Sequence, residues 1–259
     1  MIRRVLFIVI LMICTFVHYG FAQECIHDLA GRTIVIKKPF QRIISLYPAH
    51  TENLFSLGLD KEIIGVSRSD ASAVYTEKVR QKTVFSYHDG PEKFIAARPD
   101  LVLIRPMIER AYPALVHKLE QAGIVVVSLQ PKTVQEMYNY WLCLGKLTGK
   151  EIEARKMIEK FRKGLDKIAQ CVAKVPVSKR KKVYFEAIHK KMKTFAPSSI
   201  AIFVLQSAGG INIASDAITV RKTNIAFYGK ERILSHADEI DVYLAQRGKM
   251  NQITVHDII

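Results

Sequence analysis

Between Thr33 and Ser128, short apolar runs alternate with stretches of helical spacing. Thr33–Ile36, Arg42–Leu46, Glu62–Val66, Leu101–Ile104 and Ile124–Ser128 read as strands. The last two are almost continuously apolar, as strands of a parallel sheet covered on both faces are. Thr51–Leu57, Pro91–Ala97 and Tyr112–Ala122 read as helices between them. This alternation predicts an α/β fold with a doubly wound parallel sheet. Its strand-to-helix turns gather at the carboxyl edge, where open α/β folds bind ligands.

A long helical region follows. Val134, Met137, Tyr138, Trp141 and Leu142 recur at helical spacing. Gly145 and Gly149 break the pattern, and Ala154, Ile158, Phe161, Leu165, Ile168 and Val172 resume it until Pro176. A second α/β segment opens with Val183–Phe185 as a strand, followed by a helix over Ser199–Ala208, the pair Gly209-Gly210, and an apolar piece Ile211–Ala214. Asp241–Leu244 reads as a further strand. The expected organisation is two doubly wound parallel-sheet lobes, residues 23–146 and 173–259, joined by one long helix over 147–172. No internal repeat or low-complexity tract is present.

The first residues read as an address label. Arg3 and Arg4 precede an apolar run from Val5 to Val17, and Gly20-Phe21-Ala22 places small residues around a cleavage point after Ala22. Residues 1–22 are therefore expected to be a signal peptide, and the mature chain to be secreted and periplasmic. The alternative, an uncleaved anchor, needs a longer run, because these residues span only about 20 Å as a helix. Lipoprotein processing takes a small residue before the cysteine, whereas Ile13 precedes Cys14 and Glu24 precedes Cys25.

The net charge is +15, and +13 without Arg3 and Arg4. Export argues against a nucleic-acid partner. Basic residues concentrate from Lys146 to Lys193, as a solvated helical face or as an attraction to an anionic ligand or anionic lipids. Cys25, Cys143 and Cys171 remain after cleavage, an odd number. Cys143 and Cys171 are expected to be buried small hydrophobes, and no spacing of Cys and His suggests zinc. The sequence has no Gly-x-Ser-x-Gly elbow, no phosphate loop and no His-Glu-x-x-His, so no enzymatic activity and no resident cofactor are expected.

Several ordered motifs resemble the periplasmic binding proteins that serve ABC importers for vitamin B12, ferric siderophores and haem. Asp28-Leu29-Ala30-Gly31-Arg32-Thr33 resembles the family's opening hairpin. Arg42 to Gly58 resembles its Arg-Ile-x-Ser-Leu-x-Pro-x-x-Thr-Glu segment ending in Leu-Gly, and Gly65-Val66-Ser67 continues it. Gly90 to Leu103, with Glu92 and Pro99-Asp100-Leu101-Val102, resembles a further segment. Gly123 to Val127, Leu144-Gly145 with Thr148-Gly149, Glu186, Gly209 to Ala214 and Glu231 fit as well. The resemblance implies two lobes around a cleft that holds a metal chelate, namely a corrinoid, a ferric siderophore or haem. It also implies delivery to a membrane permease by a monomeric carrier. Glu92 and Glu231, one per lobe, would meet permease arginines. Equally, both are favourable acidic residues in a helix's first turn.

Candidate cleft residues follow from position after predicted strands. Tyr47, Pro48 and His50 lie on the first strand-to-helix turn. Tyr and His can stack on a macrocycle or ligate haem iron, while His50 can instead cap the helix. Thr51 and Glu52 read as a structural helix start. Arg68, and Arg105 with Met107, follow strands and offer planar donors or remain surface residues. Tyr87 and His88 precede the Glu92 helix. Glu186 and His189 are expected to face the cleft from the second lobe. A zinc or manganese importer protein is the alternative, with His50, His117, His189 and His236 as available ligands. Family members continue well past the strand resembling Asp241–Leu244, so the second lobe is expected to be C-terminally incomplete, either as a short variant or as a non-functional product. Residues 245–259 are expected to be poorly ordered.

Overall fold

A computed structural model describes residues 24–70, 75–220, 223–248 and 251–257. The expected signal peptide and Cys14 lie outside the described residues. The described chain opens with an antiparallel hairpin, β1 (Glu24–His27) and β2 (Thr33–Ile36). Asp28 turns it. One carboxylate oxygen accepts from the amides of Ala30 and Arg32, each at 2.9 Å. The other accepts from Arg32 Nε at 2.8 Å and from the amide of Ser128 at 3.0 Å. The Arg32 guanidinium also reaches Glu109 at 2.7 Å and Glu120 at 2.8 Å. The Asp28 side chain is wholly enclosed, so this small knot fastens the hairpin to the sheet below.

That sheet has five parallel strands in the order β5-β4-β3-β6-β7: β3 (Ile43–Ser45), β4 (Ile63–Ser67), β5 (Thr83–Phe85), β6 (Leu101–Ile104) and β7 (Val125–Ser128). Successive side chains alternate between faces. Ile43, Leu101, Leu103 and Val127 enter one core with Leu54, Trp141 and Leu144. Ile44, Val102, Ile104 and Val126 enter another with Phe94, Ile108 and Leu119. The first core is capped by α1 (Pro48–Ser56) and α6 (Val134–Thr148). The second is capped by α3 (Pro91–Ala97), α4 (Pro106–Ala111) and α5 (Pro113–Gln121); a short α2 (Thr76–Arg80) precedes β5. The sheet is doubly wound, as its apolar runs predict. α2, α4 and β5 are too short to show a period in the sequence.

The long helix expected over about 147–172 is present and begins at Glu151, because α6 runs on to Thr148 and a turn follows it. α6 ends at Gly149, in the left-handed region at φ 67°, and α7 (Glu151–Val172) folds back along it. Gly145 does not interrupt α6. It sits inside the helix, where a Cβ would stand 3.0 Å from Ala154 Cβ and from the backbone of Lys150 and Glu151. Its role is close approach. Thr133 caps α6 by accepting from the Glu136 amide at 3.1 Å, and Glu136 returns a bond to the Lys132 amide at 2.7 Å.

The second sheet is mixed, which corrects the expectation of a second purely parallel one. β8 (Lys182–Ile188) lies at its centre. β13 (Val242–Ala245) pairs with it in parallel along one edge. Along the other, β10 (Ile211–Asn212) is parallel to its first half and β9 (Lys193–Phe195) antiparallel to its last. β12 (Ile225–Phe227) and β11 (Ile218–Thr219) continue from β9, both antiparallel. α8 (Ile200–Ser207) and α9 (Lys230–Ser235) complete the segment. Two small cores, around Tyr184 and around Ile202, serve it. Within the expected poorly ordered stretch 245–259, Asn251 and Ile253 are buried, and residues 249–250 and 258–259 lie outside the described residues. Cys171 and Cys25 are exposed, contrary to the burial expected of Cys171, and Cys143 is half-buried.

His50 is fully enclosed in α1. Its Nε2 lies 3.0 Å from the Ile104 carbonyl and its Nδ1 lies 2.8 Å from the Tyr140 hydroxyl. A carbonyl only accepts, so Nε2 carries the proton and Nδ1 accepts from Tyr140. Burial, reinforced by the charge of Arg105, lowers the imidazole from 6.5 to about 4. Below pH 6.5 the unfolded chain takes a proton that the folded chain refuses. Stability is therefore full above that pH and declines as pH falls toward 4, by about 3 kcal/mol for this group. Urea titrations across this range are expected to show that loss in the wild type, and a shallower one in His50→Gln. Asp28→Ala is expected to lower the unfolding free energy by about 3 kcal/mol, because it strands the Ser128 amide and the Arg32 guanidinium; the same titration at neutral pH measures it.

Candidate functional site

The parallel sheet reverses its winding between β3 and β6. From β3 the chain moves outward to β4 and β5, then returns past β3 to β6 and β7. Connections leave such a point in opposite directions and open a crevice at the carboxyl edge. Tyr47 follows β3 and Arg105 follows β6. Each immediately precedes a proline that starts a helix, and each has extended backbone, as a residue before proline must. The Arg105 guanidinium lies 4.9 Å from the centroid of the Tyr47 ring. Stacked in this way, a guanidinium retains its in-plane N–H donors for a carboxylate, phosphate or amide oxygen. Neither residue is buried.

Two like turns shape the neighbouring edge. After β4, the Ser67 amide donates to Asp70 at 2.6 Å; after β5, the Ser86 amide donates to Asp89 at 2.9 Å. The Ser-x-x-Asp spacing is visible in the sequence as 67–70 and 86–89, and sequence reasoning passed over it. The turns place Arg68 one residue beyond β4 and Tyr87 two residues beyond β5. Arg68 is exposed and stands 3.8 Å from Asp89, a loose pairing. A hydrogen bond from Lys93 holds the Asp89 carboxyl below the usual carboxylate range. Tyr87, His88 and Tyr112 form a ring cluster with centroids 4.5 to 5.1 Å apart. The Tyr112 hydroxyl lies 3.1 Å from His88 Nδ1. Tyr112 was absent from the sequence-derived set because it begins a helix on the connection after β6, not a strand end.

The remaining candidates divide. Pro48 is the first residue of α1, and Met107 is half-buried against the core beneath α4. His50, placed in the site by sequence reasoning, is enclosed with both ring nitrogens engaged, so it braces the edge from below. Glu186 is likewise fully buried in β8. It accepts from Asn251 Nδ2 at 2.9 Å, from His189 Nδ1 at 2.7 Å and from the Tyr243 hydroxyl. Burial, with that same bond to Glu186, raises the Tyr243 hydroxyl well above the usual tyrosine range. Among the described residues, Glu186 and His189 share no hydrogen bond, ion pair or ring contact with Tyr47 or Arg105. Glu92 and Glu231 are exposed in the first turns of α3 and α9, and among the described residues neither has an ion-pair partner. Beyond β7 a cavity of about 180 Å³ is lined by Leu129, Gln130, Tyr140 and Cys143. Burial pushes the Cys143 thiol up to about 12.

Comparison with known proteins agrees with this architecture. A family model described as periplasmic binding protein matches residues 43–255. An uncharacterized ABC transporter substrate-binding lipoprotein of Bacillus subtilis is 28% identical over 162 residues, covering 62% of this chain and 51% of its own. The vitamin B12-binding protein of Vibrio cholerae is 27% identical over 189 residues, covering 71% of this chain and 65% of its own. The chain thus matches between half and two thirds of the length of these relatives. Among solved structures, a possible iron-binding (periplasmic solute-binding) protein from Staphylococcus epidermidis superposes with a TM-score of 0.69 at 26% identity, covering 82% of this chain and 79% of the other. With the family pattern running from β3 to the final described segment, this chain belongs to the periplasmic binding protein family.

Proposed function

We propose that this chain captures a bulky metal chelate outside the cytoplasm and hands it to the permease of an ABC importer. A corrinoid is the first candidate, because the Vibrio cholerae relative is a vitamin B12-binding protein. Ferric siderophores and haem belong to the same class of large, flat or polydentate cargo. The observation that carries the reading is the Tyr47–Arg105 pair at the winding reversal of the sheet. A ring face and a donor fork there suit a macrocycle edged with amide or carboxylate oxygens. The Tyr87, His88 and Tyr112 cluster extends the aromatic surface along the same edge. The sheet of residues 43–128 is read as one lobe and that of 182–245 as the other, with the cargo held between them. The carrier acts as an exported monomer and performs no chemistry on its cargo. Glu92 and Glu231 serve as docking points for permease arginines. The zinc or manganese alternative draws no support from His50, whose nitrogens are both occupied.

Titration with cyanocobalamin is expected to quench the fluorescence of Trp141 and the tyrosines. Arg105→Ala and Tyr47→Ala are each expected to weaken that binding about tenfold. Quenching by haemin or a ferric catecholate, with none by cyanocobalamin, would reassign the cargo; silence with all three would overturn the reading. Glu92→Lys and Glu231→Lys are expected to leave cyanocobalamin affinity unchanged and to reduce capture of the protein by permease-containing vesicles.

A further inference from the structure

The longest helix in the described chain is only half covered. Within α7, only Ala154 and Ile158 are buried, and residues 166–171 are exposed throughout. A groove of about 680 Å³ runs along the helix, with Tyr75, Trp141, Met157, Phe161, Leu165 and Ile168 among its walls. Ile168 is 45% exposed, and no heavy atom lies within 4 Å of where a Gly164 Cβ would stand. At 100° per residue, Lys156, Lys160, Lys163 and Lys167 fall in one row along one lip of this groove. Lys163 pairs with Glu159 at 2.6 Å, while Lys156, Lys160 and Lys167 have no ion-pair partner among the described residues. The sequence around the row is basic as well. From Lys146 to Lys193 there are 16 Lys and Arg against five Asp and Glu, a surplus of 11 out of a net +15.

We infer that this face of α7 rests on an anionic lipid surface. A helix with aromatic and aliphatic groups along one face and a lysine row beside it is the arrangement that lies in a bilayer interface. The half-buried Tyr75 suits the headgroup level, and lysine stems can follow apolar surface while their ammonium groups stay with lipid phosphates. A second copy is a poor occupant. Antiparallel pairing sets the lysine row against itself, and parallel pairing sets it against Arg155 and Arg162 on the opposite flank. A field this broad fits an extended anionic sheet better than a compact acidic protein. The inference does not depend on which chelate is carried.

Trp141, the single tryptophan of the chain, forms part of the inner wall of the groove and reports quenchers that enter it. The full chain is mixed with vesicles of brominated lipid, either phosphatidylcholine alone or phosphatidylcholine with phosphatidylglycerol. Trp141 quenching is expected only with phosphatidylglycerol present, and raised salt is expected to reverse it. A variant carrying Lys156→Gln, Lys160→Gln and Lys167→Gln keeps the same N-terminal segment, so insertion of Val5–Val17 contributes equally to both proteins. That variant is expected to partition about a hundredfold more weakly, with unchanged circular dichroism and unchanged cyanocobalamin titration in the absence of vesicles. Equal quenching by both vesicle types, equal partition of the variant, or a dimer in sedimentation that shields Trp141 would each overturn the inference. The vesicle-free titration separates any such failure from failure of the carrier reading.

Discussion

Burial of β3 on both faces constrains everything at the site. Ile43 and Ile44, adjacent in sequence, enter opposite cores, and both are wholly inaccessible. A strand so enclosed, with β4 on one side and β6 on the other, cannot shift register without turning its apolar side chains out of place. All five strands are parallel, so every strand-to-helix turn emerges along one edge. The reversal between β3 and β6 then leaves two turns diverging from neighbouring strands. Helix starts make the geometry firm. α1, α3, α4 and α5 each begin with proline. Proline holds its own φ near the helical value and keeps the preceding residue out of the helical region. Tyr47 and Arg105 are both such preceding residues. Their contact is therefore set by backbone restriction and does not rely on a network of side-chain caps.

Buried polar groups divide the labour between edge and core. His50 and Glu186 carry the residue types expected of ligand contacts, yet both are consumed by the fold. His50 joins α1 to the β6 carbonyl and to α6, with each ring nitrogen satisfied. Glu186 joins β8 to β13 and to Asn251, and its carboxylate is filled by donors from three places. A buried polar group left unmatched costs as much as a large core deletion. Once their partners exist, these residues are braces and have no free atoms to offer cargo.

How far the sequence revealed this depends on how far each cause extends along the chain. β6 and α3 were legible to the residue, because a continuous apolar strand and a proline-started amphipathic turn are local patterns. The site edge was legible through topology, so Tyr47, Arg68, Tyr87 and Arg105 could be placed before any contact was known. The fate of His50 was not, since its partner Tyr140 lies 90 residues away. Glu186 depends on Asn251, 65 residues on. Gly145 looked like a break because composition cannot distinguish a helix ending from a helix approached closely by another. β9, β11 and β12 hold two or three residues each, too few for a period of two to show. They are what makes the second sheet mixed.

Three surfaces of this chain use three different chemistries. The carboxyl edge of the first sheet combines rings with two arginines. The first turns of α3 and α9 each present a glutamate with no ion-pair partner among the described residues. The open face of α7 combines apolar groups with a lysine row. Charge sign separates the second of these surfaces from the third. An anionic bilayer attracts the lysine row and repels Glu92 and Glu231, the two glutamates proposed to dock. Permease arginines, in the proposed docking, would present a compact, hydrogen-bonding positive charge that the glutamates could meet and the lysine row could not. On the proposed roles, the basic face of α7 would act before docking, by concentrating the protein at the membrane, and Glu92 and Glu231 would act afterwards, where geometry rather than net charge decides the fit.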